Sequence, residues 1–399
     1  MEPKVRFKGF SGEWNVYTIG DIAPVMGGYA FQSEQFSNSG IAIVRISNIL
    51  DTGIIGGDFV KYDIFTGDTS FRLYSGDILI AMSGATTGKV AIVKTDKFLY
   101  QNQRVGKFSR TDKINYSFLA SIVGSNKFRL ELNKRLTSSA QPNASSRDID
   151  SIQQYLPNDI IEQGTIASFF SSIDSTIISS AKKLASLKKL KSASLVTMFP
   201  QNGESMPKVR FKGFEGEWDK QSASDLFLTI DERNRPELPV LSACQDVRGM
   251  IPRDKIGFNV SHDTSNEVTY KRVQPGQFVI HLRSFQGGFA HSSYDGIISP
   301  AYTVFDFKNK EQHDDYYWKI VFMSRSFIER LRLITYGIRD GRSISFNEFK
   351  ELSFLFPSKE EQQAIASFFR TLNRKIALET ARLEKLKQIK LACLDKMFV

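Results

Sequence analysis

Apolar residues along the chain keep a helical rhythm in two long stretches. From Glu162 to Phe199 they fall at Ile166, Phe169, Ile173, Ile177, Leu184, Leu187 and Met198. From Glu361 to Phe398 they fall again at Ile365, Phe368, Leu372, Ile376, Leu383, Leu386 and Met397. Steps of three and four residues make one apolar stripe on a helix, and neither stretch contains a proline. Each therefore predicts one long amphipathic helix, and residues 163–199 would extend roughly 55 Å at about 1.5 Å per residue. A helix of that length with one stripe needs a partner along it, and its own duplicate is the obvious one. Except for the two methionines, the stripe residues are the expected core of the helix pair.

The repetition extends beyond the helices. Pro3 to Trp14 (PKVRFKGFSGEW) returns as Pro207 to Trp218 (PKVRFKGFEGEW) with 11 of 12 residues identical. The box recurs 204 residues on and the helix 199 residues on, so the second half is five residues shorter between these landmarks. Internal repeats decide the reading of a fold before anything else does.

Between box and helix the halves share a layout and little sequence. Short β-type runs are expected at Ile41–Ile46, Gly76–Ala81 and Val90–Lys94, and at Gly276–Leu282 and Ala301–Phe307. A helical stretch follows at about 116–134 and 316–333, then a polar loop at Thr137–Arg147 (TSSAQPNASSR) and Thr335–Ser345 (TYGIRDGRSIS). Leu156-Pro157 and Phe356-Pro357 close each half ahead of the long helix. The expected class is α+β. A first globular domain spans 1–160 and helix one 161–200; a linker at 201–206 leads to a second globular domain at 207–358 and helix two at 359–399. A linker this short reaches at most about 25 Å, which favours an antiparallel helix pair and an approximate twofold between the halves.

Composition narrows the class. At 41% hydrophobic and 24% charged the chain reads as a soluble globular protein. No apolar run reaches the length that spans a bilayer, and the opening MEPKVRFKGF has no signal-peptide core. The two cysteines, Cys244 and Cys393, imply no disulfide framework and suit a reducing cytoplasm. A formal charge of +10 favours an acidic partner such as nucleic acid.

Signatures of catalysis are missing. GATTGKV at Gly84–Val90 resembles a phosphate loop, but Ser83 stands at the first glycine position and Val90 where a magnesium-binding Ser or Thr belongs. His262, His281, His291 and His313 show no metal-ligand spacing with the cysteines. There is no glycine-rich dinucleotide fingerprint, no Asn-Pro-Pro-Tyr or Asp-Pro-Pro-Tyr box and no Pro-Asp…Glu-x-Lys core. No catalytic residue, metal site or cofactor is assigned to this chain.

Polar loops suited to reading DNA remain. In the first half they carry Arg45 and Asn48, then Ser83, Thr86, Thr87 and Lys89. Gln101, Asn102, Gln103 and Arg104 form the next group, and Gln141, Asn143, Ser145, Ser146 and Arg147 the last. In the second half the candidates are Gln245, Arg248 and Arg253, then Arg283, Ser284 and Gln286, then Arg339 and Arg342. Arg pairs bidentately with guanine and Gln or Asn with adenine, so such loops can specify sequence in the major groove. Neighbouring cations would hold phosphates. The alternative is that these are solvated loops. The helix lysines and arginines read as a solvated coiled-coil face, a minority of them meeting DNA or a partner protein.

The twin openings PKVRFKGFxGEW, the exits LPNDIIEQ and FPSKEEQQ and the helix starts IASFF carry a resemblance. So do the loop SSAQPNASSRDI and the run GDILIAMSGATTGKVAIV with YQNQRV after it. Together they resemble the specificity subunit of a type I restriction–modification system over essentially the whole chain. The resemblance implies two target recognition domains, each reading one half of a bipartite asymmetric site in double-stranded DNA, with paired helices as the ruler between them. It implies a non-catalytic subunit that docks two methyltransferase subunits, which use S-adenosylmethionine to methylate adenine N6. Restriction subunits using ATP and magnesium would add DNA cleavage. The second polar loop lacks the Gln-Pro-Asn element of the first, which weakens individual assignments there. Rival classes are a coiled-coil adaptor and a stand-alone DNA methyltransferase or nuclease.

Overall fold

The computed structural model describes the chain except residues 137–142, 202, 245–248, 256–263, 282–287, 335–343 and 399. Two compact units emerge: Met1–Lys182 with Thr380–Val399, and Lys183–Glu379. Each long helix therefore contributes its beginning to one unit and its end to the other. The helices run over Ile160–Thr197 and Lys359–Met397.

In the first unit a four-stranded sheet is ordered Val25–Gly27, Val105–Phe108, Ile78–Ala81, Val90–Ile92, all antiparallel. A second sheet runs Lys61–Tyr62, Ile41–Val44, Leu99–Gln101, Arg72–Leu73, with a parallel pair between Ile43 and Tyr100. The expected single helical stretch is two helices, Tyr116–Val123 and Asn126–Leu136. The break follows from Gly124 ending the first helix and the Ser125 hydroxyl accepting from the Phe128 amide at 3.1 Å to start the second. In the second unit the same split lies at Ser324, whose hydroxyl accepts from the Phe327 amide at 3.2 Å. That unit has a six-stranded sheet, from Phe227–Ile230 at one edge to Leu241–Cys244 at the other.

Identical fasteners join domain to helix in both units. The Arg6 guanidinium forms a bidentate pair with Glu162 at 2.7 and 2.8 Å, and Arg210 pairs with Glu361 at 2.9 and 2.6 Å. Both glutamates are about 98% buried, and each holds its arginine above the ordinary guanidinium range through these hydrogen bonds. The next residue works equally in both. Gln163 donates to the Pro157 carbonyl and accepts from the Asn115 amide, each at 2.8 Å; Gln362 donates to Pro357 at 2.9 Å and accepts from Asp314 at 3.0 Å.

The far end of the other helix completes each unit. Phe398 inserts among Trp14, Phe118 and Phe170 in the first, and Phe199 among Trp218, Tyr317 and Phe369 in the second. The Val5 amide donates to the Lys396 carbonyl at 3.1 Å, as Val209 does to Thr197 at 2.9 Å. Within the first unit Phe170 faces Phe398 while Asp174 pairs with Lys390 at 2.6 Å, so the helix segments run antiparallel. Within the second, Lys183 pairs with Glu379 at 2.8 Å and Phe199 faces Phe369, again antiparallel.

Along the stripe, Ile166, Leu184, Ile365, Leu372 and Leu383 are buried. Phe169, Ile173, Ile177, Leu187, Phe368, Ile376 and Leu386 are half-buried. The deepest aromatic positions are Phe170 and Phe369, one residue beyond the expected Phe169 and Phe368. Near its start each helix packs on its own globular domain as well as on the other helix, so the buried face is turned toward both. No described helix is long and apolar enough to cross a membrane.

Candidate nucleic-acid interface

The first unit gathers four of its expected polar loops around Met82. The Met82 amide donates to the Arg104 carbonyl at 2.9 Å, and its own carbonyl accepts from the Ala144 amide at 2.8 Å. Ser83 and Asn143 form a β-bridge beside it. A β-carbon added at Gly84 would lie 3.6 Å from Ile46, which places the Arg45–Asn48 turn against the same loop. Residues far apart in sequence thus share one rim.

The Gln101–Arg104 loop is gripped from both sides. The Tyr29 amide donates to the Gln101 carbonyl and the Gln103 amide to the Tyr29 carbonyl, both at 2.9 Å, while the Asn102 amide reaches Val44 at 3.1 Å. Gly28 permits this approach: a β-carbon there would meet the Gln101 carbonyl at 2.2 Å. A well-held loop with outward side chains is what base reading requires.

Several expected DNA-facing residues have internal roles instead. Asn48 is buried and donates to the Gly56 and Asp58 carbonyls, each at 3.0 Å, which clamps its own loop. Gln101 is also buried, donating to Met26 and Val105 at 2.8 Å. A buried amide with its hydrogen bonds satisfied inside the domain is not available to a base edge. Ser83 is buried, and the Thr86 and Thr87 hydroxyls donate to the Ser83 and Gly84 carbonyls at 3.4 and 2.7 Å. Asn102 accepts from the Arg104 amide at 3.2 Å. Ser145 caps the helix Ser146–Asp150: its hydroxyl donates to Asp148 at 2.6 Å and accepts from the Asp148 amide at 3.2 Å. These bonds hold the Asp148 carboxyl below its usual range.

Gln103, Arg104, Asn143 and Arg147 remain exposed on the rim, with Ser146 half-exposed. Arg104 and Arg147 have no ion pair among the described residues. Lys89 is bridged to Asp51 at 2.8 Å, which offsets its charge. Arg45 is half-buried, and its Nε has no hydrogen-bond partner among the described residues. In the second unit Arg253 donates to the Ser242 hydroxyl at 3.0 Å. Gln141, Gln245, Arg248, Arg283, Ser284, Gln286, Arg339 and Arg342 lie outside the described residues.

The fasteners and the cap are what residue-type reasoning missed. Arg6, Glu162, Gln163 and Phe398, with their counterparts Arg210, Glu361, Gln362 and Phe199, are repeated in halves that otherwise differ. That repetition was the available signal. Ser145-x-x-Asp148 and Ser345-x-x-Glu348 are capping boxes readable from spacing.

Known proteins resemble this chain in sequence and in fold. A curated relative, the type I restriction enzyme MjaVIII specificity subunit of Methanocaldococcus jannaschii, is 28% identical over 187 residues, which is 45% of this chain and 44% of the relative. The aligned part thus spans less than half of that relative. The crystal structure of a type I restriction–modification S subunit from M. genitalium has a TM-score of 0.66 at 14% identity, covering 100% of this chain and 99% of that one. A structure described as the basis of complex assembly and conformational transition of the type I R-M system gives 0.52 at 16% identity, over 98% and 99%. The type I restriction modification DNA specificity domain matches twice, at residues 11–189 and 217–388. A chain made of two such domains, each clasped to a long helix by the same residues, belongs to the type I restriction modification DNA specificity family.

Proposed function

We propose that this chain is the DNA-reading subunit of a type I restriction–modification complex, each unit recognising one half of a bipartite site in double-stranded DNA. The observation that carries the reading is the double match to the DNA specificity domain, joined to an exposed polar rim held by buried anchors in the first unit. Arg104 and Arg147 supply guanidinium forks for guanine edges or phosphates, and Gln103 and Asn143 supply amides for adenine. Two dissimilar readers on equivalent fasteners suit two dissimilar half-sites, as dimeric readers suit palindromic ones. The long helices then set the unread spacer between half-sites.

Chemistry belongs to partners in this reading. Two methyltransferase subunits bring S-adenosylmethionine, and restriction subunits bring ATP and magnesium. The chain itself contributes position, and in this reading it works in the cytoplasm, a reducing compartment that suits its two free cysteines. Co-expression with the cognate methyltransferase subunit, followed by genome-wide mapping of N6-methyladenine, tests the proposal. One bipartite motif is the expected result; methylation without sequence preference, or none, overturns it in favour of an adaptor. Removing about two helical turns from Ile160–Thr197 with the counterpart turns of Lys359–Met397 should shorten the spacer. Methylation at the original spacing by such a folded, assembled variant would sink the ruler role.

A further inference from the structure

Matching hydrogen bonds align the two units residue by residue, and in one place the equivalence breaks in charge. Asn115 and Asp314 cap equivalent helices, and their amides donate to Gln163 and Gln362. Asp315, Tyr316 and Lys319 therefore stand where Tyr116, Ser117 and Ala120 stand in the first unit. On the long helices Lys191 corresponds to Lys390, Arg370 to Ser171 and Asn373 to Asp174. In the first unit these positions hold one cation and one carboxylate, and the two pair: Lys390 reaches Asp174 at 2.6 Å. In the second they hold three cations, Lys191, Lys319 and Arg370, against the single carboxylate of Asp315.

Two of the cations flank Tyr316. The Arg370 guanidinium lies 4.5 Å from its ring centroid and the Lys319 ammonium 5.5 Å. Asn373 donates to the Tyr316 hydroxyl at 3.0 Å, which leaves the phenol's own proton to be donated elsewhere. Burial is the main reason that Lys319 holds its proton less tightly than an ordinary lysine; Asp315 opposes the shift, and Lys191 and Arg370 add to it.

Asp315 does little to balance this charge. Its carboxylate is 2.6 Å from the His291 Nε2, and its approach to Arg370 is only 3.9 Å. Lys319 is half-buried and has no ion pair or hydrogen bond among the described residues. The Arg370 side chain is 52% exposed, so solutes reach the cluster. Like charges gathered at a partly buried place repel one another, and a bound anion relieves them.

The cluster is separate from the second unit's counterpart of the Met82 rim. Asp77 and Gln277 make the same turn, accepting from the Tyr74 and Gln274 amides at 2.9 and 2.8 Å. Ile280 is thus the counterpart of Ile80, and the rim position follows it. A β-carbon at Gly276, ahead of the same strand Phe278–Ile280, would lie 3.9 Å from Asp315. The cations therefore sit at the opposite end of that strand.

We infer that Lys191, Lys319, Arg370 and Tyr316 form a binding site for a phosphate dianion in the second unit, with no counterpart in the first. Arg370 supplies a planar fork, the two lysines supply point charges and Tyr316 a neutral donor, from three separate helices. Bound phosphate ties the end of helix one and the start of helix two to the Asp315–Met323 helix. The second unit's anchorage then answers to an anion, whereas the first unit's is closed by its own Asp174–Lys390 pair. The site goes beyond DNA reading and does not depend on it.

The test is hydrogen exchange of the full chain titrated with inorganic phosphate, with sodium chloride at matched ionic strength as the control. Protection of Asp315–Met323 and the adjoining helix segments should rise and saturate with phosphate, while the first unit does not respond. Lys319→Gln and Arg370→Gln should each weaken the apparent phosphate affinity by about tenfold or more. Asn373→Asp, which restores the carboxylate of the first unit, should abolish the response and keep the second unit folded without phosphate. Equal protection by chloride, the lack of a saturable response, or a response undiminished in these variants would overturn the inference. So would protection of the same segments by random-sequence duplex DNA but not by phosphate, which would make the cluster a phosphodiester contact.

Discussion

The two units are built from different cores behind the same fasteners. The first packs largely aliphatic residues, such as Ile19, Ile22, Ile78, Ile80, Leu119, Ile122 and Leu132. The second packs an aromatic cluster in which Phe227, Phe278, Phe289, Phe305, Phe322, Phe349 and Phe354 stack on Trp318 or on one another. Their sheets differ as well: beside the two-stranded ladder that both share, the described residues form two sheets of four strands in the first unit and one of six and one of two in the second. Apolar volume can be filled in many ways, so a core drifts without loss of fold. A buried guanidinium–carboxylate pair cannot drift one partner at a time, because the survivor is left charged and unpaired. The difference teaches which contacts define the plan: the fasteners do, and the cores follow.

Breaking a fastener should show the largest effect and the greatest symmetry. Arg6→Ala strands Glu162 in the first unit, and Arg210→Ala strands Glu361 in the second; each should destabilise its own unit by about 3–5 kcal/mol. Hydrogen exchange resolved along the chain checks this. Equal losses in both units from either substitution would show that the units do not open separately.

The inserted phenylalanines should separate the units. Phe398 is 3% exposed, whereas Phe199 is half-buried. Phe398→Ala should lower stability by about 3–5 kcal/mol, and Phe199→Ala by less, since cavity size sets the loss. Denaturant midpoints of the two variants give the comparison, and a larger loss from Phe199→Ala would contradict it.

Acid should distinguish them further, because all four histidines, His262, His281, His291 and His313, lie in the second half. His313 stacks on Phe307 with burial pushing its pKa down to about 4, helped by nearby Lys359. The unfolded chain then binds the extra proton between about pH 6.5 and 4 while the folded one does not. Stability is full above that window and falls through it, by on the order of 3 kcal/mol for this residue. His313→Phe should flatten the pH dependence of the second unit's exchange protection and leave the first unchanged. A pH slope that persists in the variant would assign it elsewhere.

Specificity should give the smallest energies and the sharpest contrast. Arg104→Ala or Gln103→Ala should relax one half of the methylated motif, by about 1–3 kcal/mol per lost base contact. The other half should be unaffected, and a change in both halves would end the assignment of one unit to one half-site.

The plan was legible in the sequence because repetition and helical period are local signals. The long helices, their antiparallel pairing and the box were all readable before any coordinates. The loops that gather around Met82 were legible in the sequence as polar segments, while which of their side chains face outward was legible only in part. Residue type cannot separate Gln101 from Gln103, because the distinction lies in which side chain turns inward, and that depends on Gly28, Met26 and Val105 brought from elsewhere. Asn48 was misplaced for the same reason. The Phe169-to-Phe170 shift arose because a stripe read against one partner helix ignores the globular domain that covers the helix start.

Gln101 and Gln103 lie two residues apart and answer to different pressures. A change at Gln101 disturbs buried hydrogen bonds, whereas changes at exposed Gln103, Arg104 or Arg147 are of the kind that usually leave stability within about 0.5 kcal/mol. The rim can therefore be rewritten by point mutation without refolding the domain beneath it. On the proposed reading, a lineage carrying this chain has a short mutational path to new targets, and Gln103, Arg104, Asn143 and Arg147 are the positions to randomise when a new specificity is sought.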